Sequence, residues 1–216
     1  VEAAARQGQA VPLVDRCAVA PILLTAARAH PQAAALLSAI TQGEASVCPA
    51  LSASEAGTGR VQGPVLSADG TLMGTLPTLD LSEPATHILL HTHDATTQES
   101  VLALLPWAQV AVAARHHVGV DERQYTDMVL DGLQVTDQQV LLRGAAVEDA
   151  VTRARHAGSL LTSVQAVGAA AAMIELTIDY LNTRVQFGVA LSSFQALRHR
   201  TVEMYVAYEN ISGLVS

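Results

Sequence analysis

The sequence predicts an α+β protein in three parts: a partial N-terminal helical domain, a middle β-barrel or β-sandwich domain, and a truncated C-terminal helical bundle. The pattern changes twice along the chain. An Ala/Leu-rich beginning gives way to short β-prone segments with turn signals, and an Ala-rich helical pattern then returns. These changes place the domains at residues 1–43, 44–143 and 144–216.

The first part has the signals of short packed helices. Pro21 and Pro31 stand near helix starts, where a missing backbone N–H does no harm, and Gly43 stands where a helix would end. We therefore predict a partial helical domain here.

The middle part has the signals of strands. Segments 86–93 and 110–114 are short and β-prone, and Ala68-Asp69-Gly70 and Asp131-Gly132 are turn signals at hairpin-like positions. His87, His91 and His93 would share one strand face, and we expect them to be solvated or hydrogen-bonded rather than metal ligands.

The last part predicts two helices. The first runs from about residue 145 to 183, and its small side chains at 164–173 would let neighbouring backbones approach closely. After Gly188, a capping-box pattern at Ser192 and Gln195 opens the second helix. Apolar positions at spacings of three and four give that helix a single stripe: Phe194, Leu197, Thr201, Met204, Tyr208, Ile211 and Val215.

Composition excludes several function classes. Twelve basic residues against 20 acidic ones give a net charge of -8, which does not support nucleic-acid binding. The uninterrupted apolar runs are shorter than the roughly 18 to 20 residues of a membrane span, so we expect a soluble, cytoplasmic protein. Cys17 and Cys48 lack metal-ligand spacing and are expected to be buried free thiols. Both ends of the chain look cut, and we expect the natural protein to be longer.

The informative stretch is residues 180–204, YLNTRVQFGVALSSFQALRHRTVEM. It resembles the C-terminal helical domain of acyl-CoA dehydrogenases, in which Arg-x-x-Phe-Gly is followed by Phe-Gln-Ala and then His-Arg. The residues in register are Arg184, Phe187, Gly188, Phe194, Gln195, Ala196, His199, Arg200, Glu203 and Met204. A weaker similarity covers nearly all of the chain and includes Ser54-Glu55-Ala56-Gly57, in place of the family's Thr-Glu-Pro-Gly.

The resemblance implies an FAD-dependent enzyme that dehydrogenates an acyl-CoA thioester between its α and β carbons. Arg184 would donate two hydrogen bonds to the FAD pyrophosphate, Gln186 and Gln195 would add neutral ones, and Phe187 would cover the cofactor. By resemblance these residues reach the FAD of a neighbouring protomer, and Ser54 would lie beside the isoalloxazine.

The family also implies partners. They are an acyl-CoA substrate, an electron-transfer flavoprotein as acceptor, and another acyl-CoA dehydrogenase subunit in a homo- or hetero-oligomer. Degraded members paired with a partner are known for bulky, steroid-like side chains in bacteria.

Three of the five candidate site residues also have a purely structural interpretation. Arg184 would be a favourable cation at a helix C-terminus, Gln195 a capping residue, and Ser54 a turn serine.

The sequence departs from the family's pattern at the positions of the catalytic base, the CoA-binding arginine and the flavin loop. The usual catalytic Glu would follow Ser216, and the position of the base in some other members is Gly158 here. The next position, where many members carry an Arg for CoA, is Ser159, and the flavin loop is reduced to Gly57-Thr58-Gly59. No catalytic residue is therefore assigned.

Three functions stay open. The chain is a dehydrogenase subunit, a non-catalytic subunit that completes the FAD site of a catalytic paralogue, or a helical scaffold without flavin. The degenerate β-domain favours the second.

Overall fold

The structure is a computed structural model that describes residues 1–9, 11–51, 53–54 and 61–215, with the backbone alone at 53–54 and 61–62. Contacts within the chain separate two compact units. We call residues 11–158 the sheet unit, and residues 1–10 with 159–216 the helical unit. The predicted three-domain division stays a prediction.

All described α-helices except the short α4 (Trp107–Val110) lie toward the two ends of the sequence. The helices toward the ends are α1 (Glu2–Arg6), α2 (Ala20–Ala26), α3 (Pro31–Thr41), α5 (Ala145–Thr183) and α6 (Gln195–Val215). A π-helical turn precedes α2 at Asp15–Val19, and 3-10 turns occupy Ala111–Ala113, Asp137–Gln139 and Leu191–Ser193.

Strands fill most of the stretch between α3 and α5. They are β1 (Val47–Ala50), β2 (Ala53–Ser54), β3 (Val61–Gln62), β4 (Val65–Leu66), β5 (Thr71–Met73), β6 (Thr75–Asp80), β7 (His87–Asp94), β8 (Ser100–Pro106), β9 (Ala114–Val118), β10 (Gln124–Val129), β11 (Leu133–Gln134) and β12 (Val140–Arg143). Two more, β13 (Val185–Gln186) and β14 (Val189–Ala190), join α5 to α6. This segregation of helices and strands confirms the α+β class.

Among the predictions for α5, for residues 110–114 and for the two turns, two hold and two are wrong. Helix α5 has the predicted bounds, and the turn at Asp69-Gly70 joins the antiparallel pair β4 and β5. Residues 110–114 are not a strand, because α4 and a 3-10 turn follow Pro106 up to Ala113. Asp131-Gly132 is not a hairpin turn, because β10 and β11 pair with strands of two different sheets.

Within the described residues, the main sheet has seven strands in the order β11-β5-β4-β7-β8-β12, with β1 parallel to the beginning of β7. A second sheet has the order β6-β10-β9. The chain passes four times between the two sheets, from β5 through Gly74 into β6, from β6 to β7, from β8 to β9 and from β10 to β11.

The long antiparallel pair β7 and β8 forms the centre of the sheet unit. Ile88 and Leu90 on β7 and Ala103 and Leu105 on β8 are fully buried in one apolar cluster. Residues of the alternate positions, including Leu89, are buried as well, so both faces of this pair are covered. Their near-continuous apolar sequence follows from that position.

Arg16 is a buried cation at the edge of this core, with only 8% of its surface exposed. Its guanidinium donates to Ser46 Oγ at 2.7 Å and to the carbonyl oxygens of Glu83 at 3.0 Å, Asp80 at 3.2 Å and Pro84 at 3.5 Å. Carbonyl oxygens and a hydroxyl therefore replace the water that a buried charge loses.

A second polar cluster lies on the β7–β8 pair. His91 and His93 place their ring centres 4.9 Å apart, and Ser100 Oγ lies 3.3 Å from His93 Nε2 and donates to Glu148 Oε1 at 3.2 Å. Burial, together with His93 and Arg155, lowers the pKa of His91 to about 4. These histidines are thus packed within the fold, and Ser100 links His93 to Glu148 of helix α5.

The two cysteines differ in exposure. Cys48 is buried and, mainly because of burial, its pKa is raised to about 12, so the thiol is inert at neutral pH. Cys17 is exposed, and the prediction that it is buried is wrong. It lies on the solvent side of the π-helical turn, whereas its neighbour Arg16 points inward.

In the helical unit, α1 packs closely on α5. A Cβ at Gly168 would lie 2.5 Å from the carbonyl oxygen of Glu2, so only glycine allows this approach. Arg6 of α1 forms an ion pair with Glu175 of α5. The small side chains at 164–173 thus allow the backbones of α1 and α5 to approach closely, as the sequence predicts for this segment.

The apolar residues of the helical unit are largely uncovered. Within its described part, α6 has no buried residue, and Val202, Tyr205 and Ile211 are each at least half exposed. By length and composition alone, α5 is also long and apolar enough to cross a membrane, with a mean hydropathy of 1.5 over an 18-residue window. An Ala-rich helix that packs against other helices has the same composition.

We expect Arg16→Met to lower the free energy of unfolding by about 3 kcal/mol, because it removes charge-assisted hydrogen bonds and leaves buried carbonyl groups without donors. Urea unfolding followed by circular dichroism measures the change. Arg28→Met, at an exposed arginine, is the matched control and should change stability by less than about 0.5 kcal/mol. Equal effects of the two substitutions would show that Arg16 does not stabilise the sheet unit.

We also expect His91 to make the fold acid-sensitive. Its pKa in the folded state, about 4, is below its unfolded value, so the unfolded chain binds the proton first as the pH falls. The free energy of unfolding should therefore decrease between about pH 6.5 and pH 4, by about 3 kcal/mol from this group.

His91→Gln should flatten that part of the stability profile, measured by urea unfolding at a series of pH values. His199→Gln, at an exposed histidine of α6, should leave the slope as it is. An unchanged slope in His91→Gln would contradict the assignment.

Candidate functional site

The segment between α5 and α6 is held by its backbone. The Arg184 N–H donates to Tyr180 O at 2.9 Å, and the Leu191 N–H donates to Arg184 O at 2.9 Å. Strands β13 and β14 pair between these two points, with Val185 opposite Ala190 and Gln186 opposite Val189. The result is a small hairpin directly after the long helix.

Phe187 and Gly188 form the two-residue tip of this hairpin. Their φ angles are 55° and 82°, and positive values at both central positions match the right-handed twist of paired strands. Glycine adopts this conformation without strain, whereas for a bulky residue such as phenylalanine it is an outlier. The hairpin thus holds one aromatic side chain in an unfavourable backbone conformation.

That side chain faces solvent. Phe187 is 91% exposed, and its ring centre lies 6.2 Å from that of Phe194 at an interplanar angle of 87°. The edge-to-face contact orients the ring without covering it. Strain at an exposed aromatic group is a feature that points to a binding role.

Arg184, Gln186 and Gln195 surround the hairpin in sequence, and all three are exposed. In the part of the chain that the structure describes, none of their side chains makes a hydrogen bond or an ion pair. The hairpin and the first residue of α6 therefore present one guanidinium and two amide groups that are free to bind a ligand.

The capping box predicted at Ser192 and Gln195 does not form. Ser192 belongs to the 3-10 turn Leu191–Ser193, and α6 begins only at Gln195. Ser193 Oγ donates back to Ala190 O at 2.7 Å. The interpretation of Gln195 as a capping residue therefore loses its support. Arg184 directly follows the last residue of α5, where a positive charge interacts favourably with the helix dipole.

Ser54, the remaining predicted flavin contact, lies in the sheet unit. Its backbone is in β2 and pairs with Val61, while its side chain is outside the described residues. Glu55-Ala56-Gly57 and Gly57-Thr58-Gly59 also fall outside them. The structure thus brings Arg184, Gln186, Phe187 and Gln195 into one segment, and the role of Ser54 stays a prediction.

The position that carries the base in some acyl-CoA dehydrogenases is Gly158 here, and the space beside it is narrow. Gly158 carries no side chain, and a Cβ there would lie 3.2 Å from Val19 Cγ2, tighter than ordinary packing. A glutamate at this place would require Val19 to move.

Sequence reasoning missed the hairpin itself. The signal was available, because Val185-Gln186 and Val189-Ala190 flank Phe187-Gly188, and a glycine at the second position of a two-residue loop favours this turn. The sequence pattern alone identifies Gly188 only as a helix break.

Comparison with known proteins also finds similarity to acyl-CoA dehydrogenases. Residues 149–216 match the family model for the acyl-CoA dehydrogenase C-terminal domain. The chain is 44% identical over 58 residues to "Acyl-CoA dehydrogenase IpdE2" of Mycobacterium tuberculosis, an alignment that covers 27% of this chain and 18% of that protein.

Two solved structures share the fold over nearly the whole chain. One is a variant of the "Tcur3481-Tcur3483 steroid ACAD", with a TM-score of 0.75 and 22% identity, covering 96% of this chain and 55% of that one. The other is the "ChsE4-ChsE5 complex" of Mycobacterium tuberculosis, with a TM-score of 0.73 and 19% identity, covering 96% and 55%. The chain therefore spans little more than half the length of these structures.

We expect Phe187→Asn to change the free energy of unfolding by no more than about 1 kcal/mol. Asparagine tolerates a positive φ better than phenylalanine does, and this gain offsets the lost contact with Phe194, which is worth about 0.5 to 1.5 kcal/mol. Chemical denaturation measures the change. A loss above about 2 kcal/mol would show that Phe187 is needed for folding rather than displayed for binding.

Proposed function

We propose, from the premise that this chain belongs to the acyl-CoA dehydrogenase family, that it is a subunit of an FAD-dependent acyl-CoA dehydrogenase. The reaction is the α,β-dehydrogenation of an acyl-CoA thioester. The observation that carries the proposal is the exposed hairpin after α5, with the free guanidinium of Arg184 at its base and the ring of Phe187 at its tip.

The residues present fit the cofactor. A pyrophosphate group takes a planar guanidinium that donates two parallel hydrogen bonds, and Arg184 has no competing partner among the described residues. The amides of Gln186 and Gln195 would add neutral hydrogen bonds, and the Phe187 ring offers apolar surface to a flat aromatic group. When bound, FAD would supply the hydride acceptor.

These residues would bind and orient, and none of them would transfer a proton. An exposed cation cannot close a site alone, because water competes for its hydrogen bonds. We therefore infer that a second surface covers the hairpin, as in the family, where these residues reach the FAD of a neighbouring protomer. The uncovered apolar residues of α6 support a homo- or hetero-oligomer.

A second candidate is a non-catalytic subunit that completes the FAD site of a catalytic paralogue. The specific observation in its favour is Gly158, which has no side chain to act as a base and where an added Cβ would lie 3.2 Å from Val19 Cγ2. Ser159, in place of the family's CoA-binding arginine, points the same way. The likeness to the Tcur3481-Tcur3483 and ChsE4-ChsE5 structures, each named for a pair of proteins, adds support for a heteromer.

The remaining expectations follow from the family. An electron-transfer flavoprotein would accept the electrons, and the cytoplasm would be the location. One of the similar structures is that of a "steroid ACAD", and by this likeness we propose an acyl chain with a bulky, steroid-like group.

We expect Arg184→Ala to weaken FAD retention by about 2 to 4 kcal/mol, because it removes two charge-assisted hydrogen bonds to the pyrophosphate. The loss of a cation after a helix end should lower stability by only about 0.3 to 1 kcal/mol. FAD occupancy of the purified natural oligomer is measured by absorbance, and stability by denaturant unfolding of the apo form.

Two further variants sharpen the test. Arg184→Lys keeps the charge without the planar pair of donors and should retain FAD to an intermediate degree. Arg200→Ala, at an exposed arginine that pairs with Glu203 on α6, should retain FAD like the parent protein. If Arg184→Ala binds FAD normally but unfolds earlier, Arg184 is only a helix-terminal cation. If FAD never co-purifies, even with a partner subunit present, a scaffold without flavin replaces the proposal.

A further inference from the structure

A cleft of about 800 Å³ lies in the sheet unit, between the outer face of α3 and the ends of β7 and β8. Its size is within the range of pockets that hold small organic ligands, about 300 to 1,000 Å³. None of the residues that the family resemblance assigns to FAD is among those that line it. Its function therefore needs a separate explanation.

The floor of the cleft is apolar. Ala35, Leu36 and Ala39 of α3 lie on one side, and Leu104 and Pro106 of β8 on the other. Because two of the three helix residues are alanines, this face of α3 leaves the space open. A flat or compact apolar body would bury this surface.

The rest of the lining is polar but uncharged. In the described part of the chain, no Asp, Glu, Lys or Arg side chain lines the cleft, and five glutamines do: Gln32, Gln109, Gln134, Gln138 and Gln139. His87 lines it as well, and burial lowers its pKa, so the ring is neutral at pH 7. An ion entering the cleft would lose water without gaining a counter-charge, which is unfavourable.

Three of the glutamines are fixed by hydrogen bonds within the protein. Gln109 Nε2 donates to Gln134 O at 2.6 Å, and Gln139 Nε2 donates to Gln109 Oε1 at 2.6 Å. The Thr136 N–H donates to Gln139 Oε1 at 2.9 Å, and Gln134 Nε2 donates to Thr71 Oγ1 at 2.6 Å. These bonds make a preformed polar wall, so ordering this wall adds little to the cost of binding.

The other two glutamines differ. Gln32 and Gln138 are exposed, and their amides make no hydrogen bond within the described residues. Each offers a donor and an acceptor toward the cleft that they line. The cleft thus combines an apolar floor, a fixed neutral wall and two free amides.

We propose that this cleft binds a small uncharged ligand, with its apolar body between α3 and β8 and its carbonyl, amide or hydroxyl groups bonded to Gln32 and Gln138. The proposal does not depend on flavin binding, because its residues and its readout are separate from those of the hairpin.

The test uses two probes of the same shape, naphthalene-2-carboxamide and naphthalene-2-carboxylate, with binding to the purified protein measured by saturation-transfer NMR titration. We expect saturable binding of the neutral amide and at least tenfold weaker binding of the carboxylate. No saturable binding of the amide, or equal binding of both probes, would overturn the proposal.

Matched variants on α3 locate the site. Ala35→Trp fills the cleft and should abolish binding of the amide, whereas Ala34→Trp, at an exposed neighbour that does not line the cleft, should leave it unchanged. Equal effects of the two substitutions place the probe elsewhere and contradict the proposal.

A second pair of substitutions keeps the test independent of Ala35→Trp, in case that variant does not fold. Gln32→Ala with Gln138→Ala removes the two free amides and should weaken binding of the neutral probe about tenfold, with an unchanged unfolding midpoint. Full binding by this double variant overturns the role assigned to the glutamines.

Discussion

The buried guanidinium of Arg16 is the constraint on which the sheet unit depends. It joins the turn before α2 to Ser46, which precedes β1, and to the carbonyl groups of residues 80–84, which connect the small sheet to β7. One side chain therefore fixes the helices, the parallel pair β1 and β7, and the passage between the sheets. A buried charge is stable here because the irregular loop turns its carbonyl oxygens toward it. An apolar residue would leave those oxygens without donors.

The two units use their side chains differently. In the sheet unit, apolar residues cover both faces of β7 and β8, and the buried Ser100 donates a hydrogen bond to Glu148 of α5. In the helical unit, apolar residues of α6 and the ring of Phe187 are exposed, and Arg184 has no partner among the described residues. The first unit is complete as a core. The second has the character of a surface that binds another molecule, and this agrees with the proposed shared flavin site.

Much of the fold follows from local signals. The bounds of α5 follow from a continuous Ala-rich pattern, and the β4–β5 hairpin follows from Asp69-Gly70, where Gly70 has a φ of 82°. The errors arose where distant contacts decide the outcome. Asp131-Gly132 turns the chain, but β11 pairs with β5 and not with β10. A turn motif predicts the local backbone conformation, but it does not predict which strand pairs with the strand that follows the turn.

The sequence by itself determined the resemblance to acyl-CoA dehydrogenases and the choice of candidate flavin residues, because a contiguous motif with Arg184, Phe187 and Gln195 needs no tertiary information to be found. Only the tertiary structure decided how these residues are presented. The positive φ of Phe187 and the absence of a capping role for Gln195 depend on the hairpin and on where α6 begins. The narrow space at Gly158 depends on its packing against Val19. The neutral cleft could not be predicted from the sequence, because tertiary packing forms it from residues that are far apart in the chain. Its glutamines are up to 107 positions apart, from Gln32 to Gln139, and only the packing of α3 beside the β7–β8 pair brings them to one place.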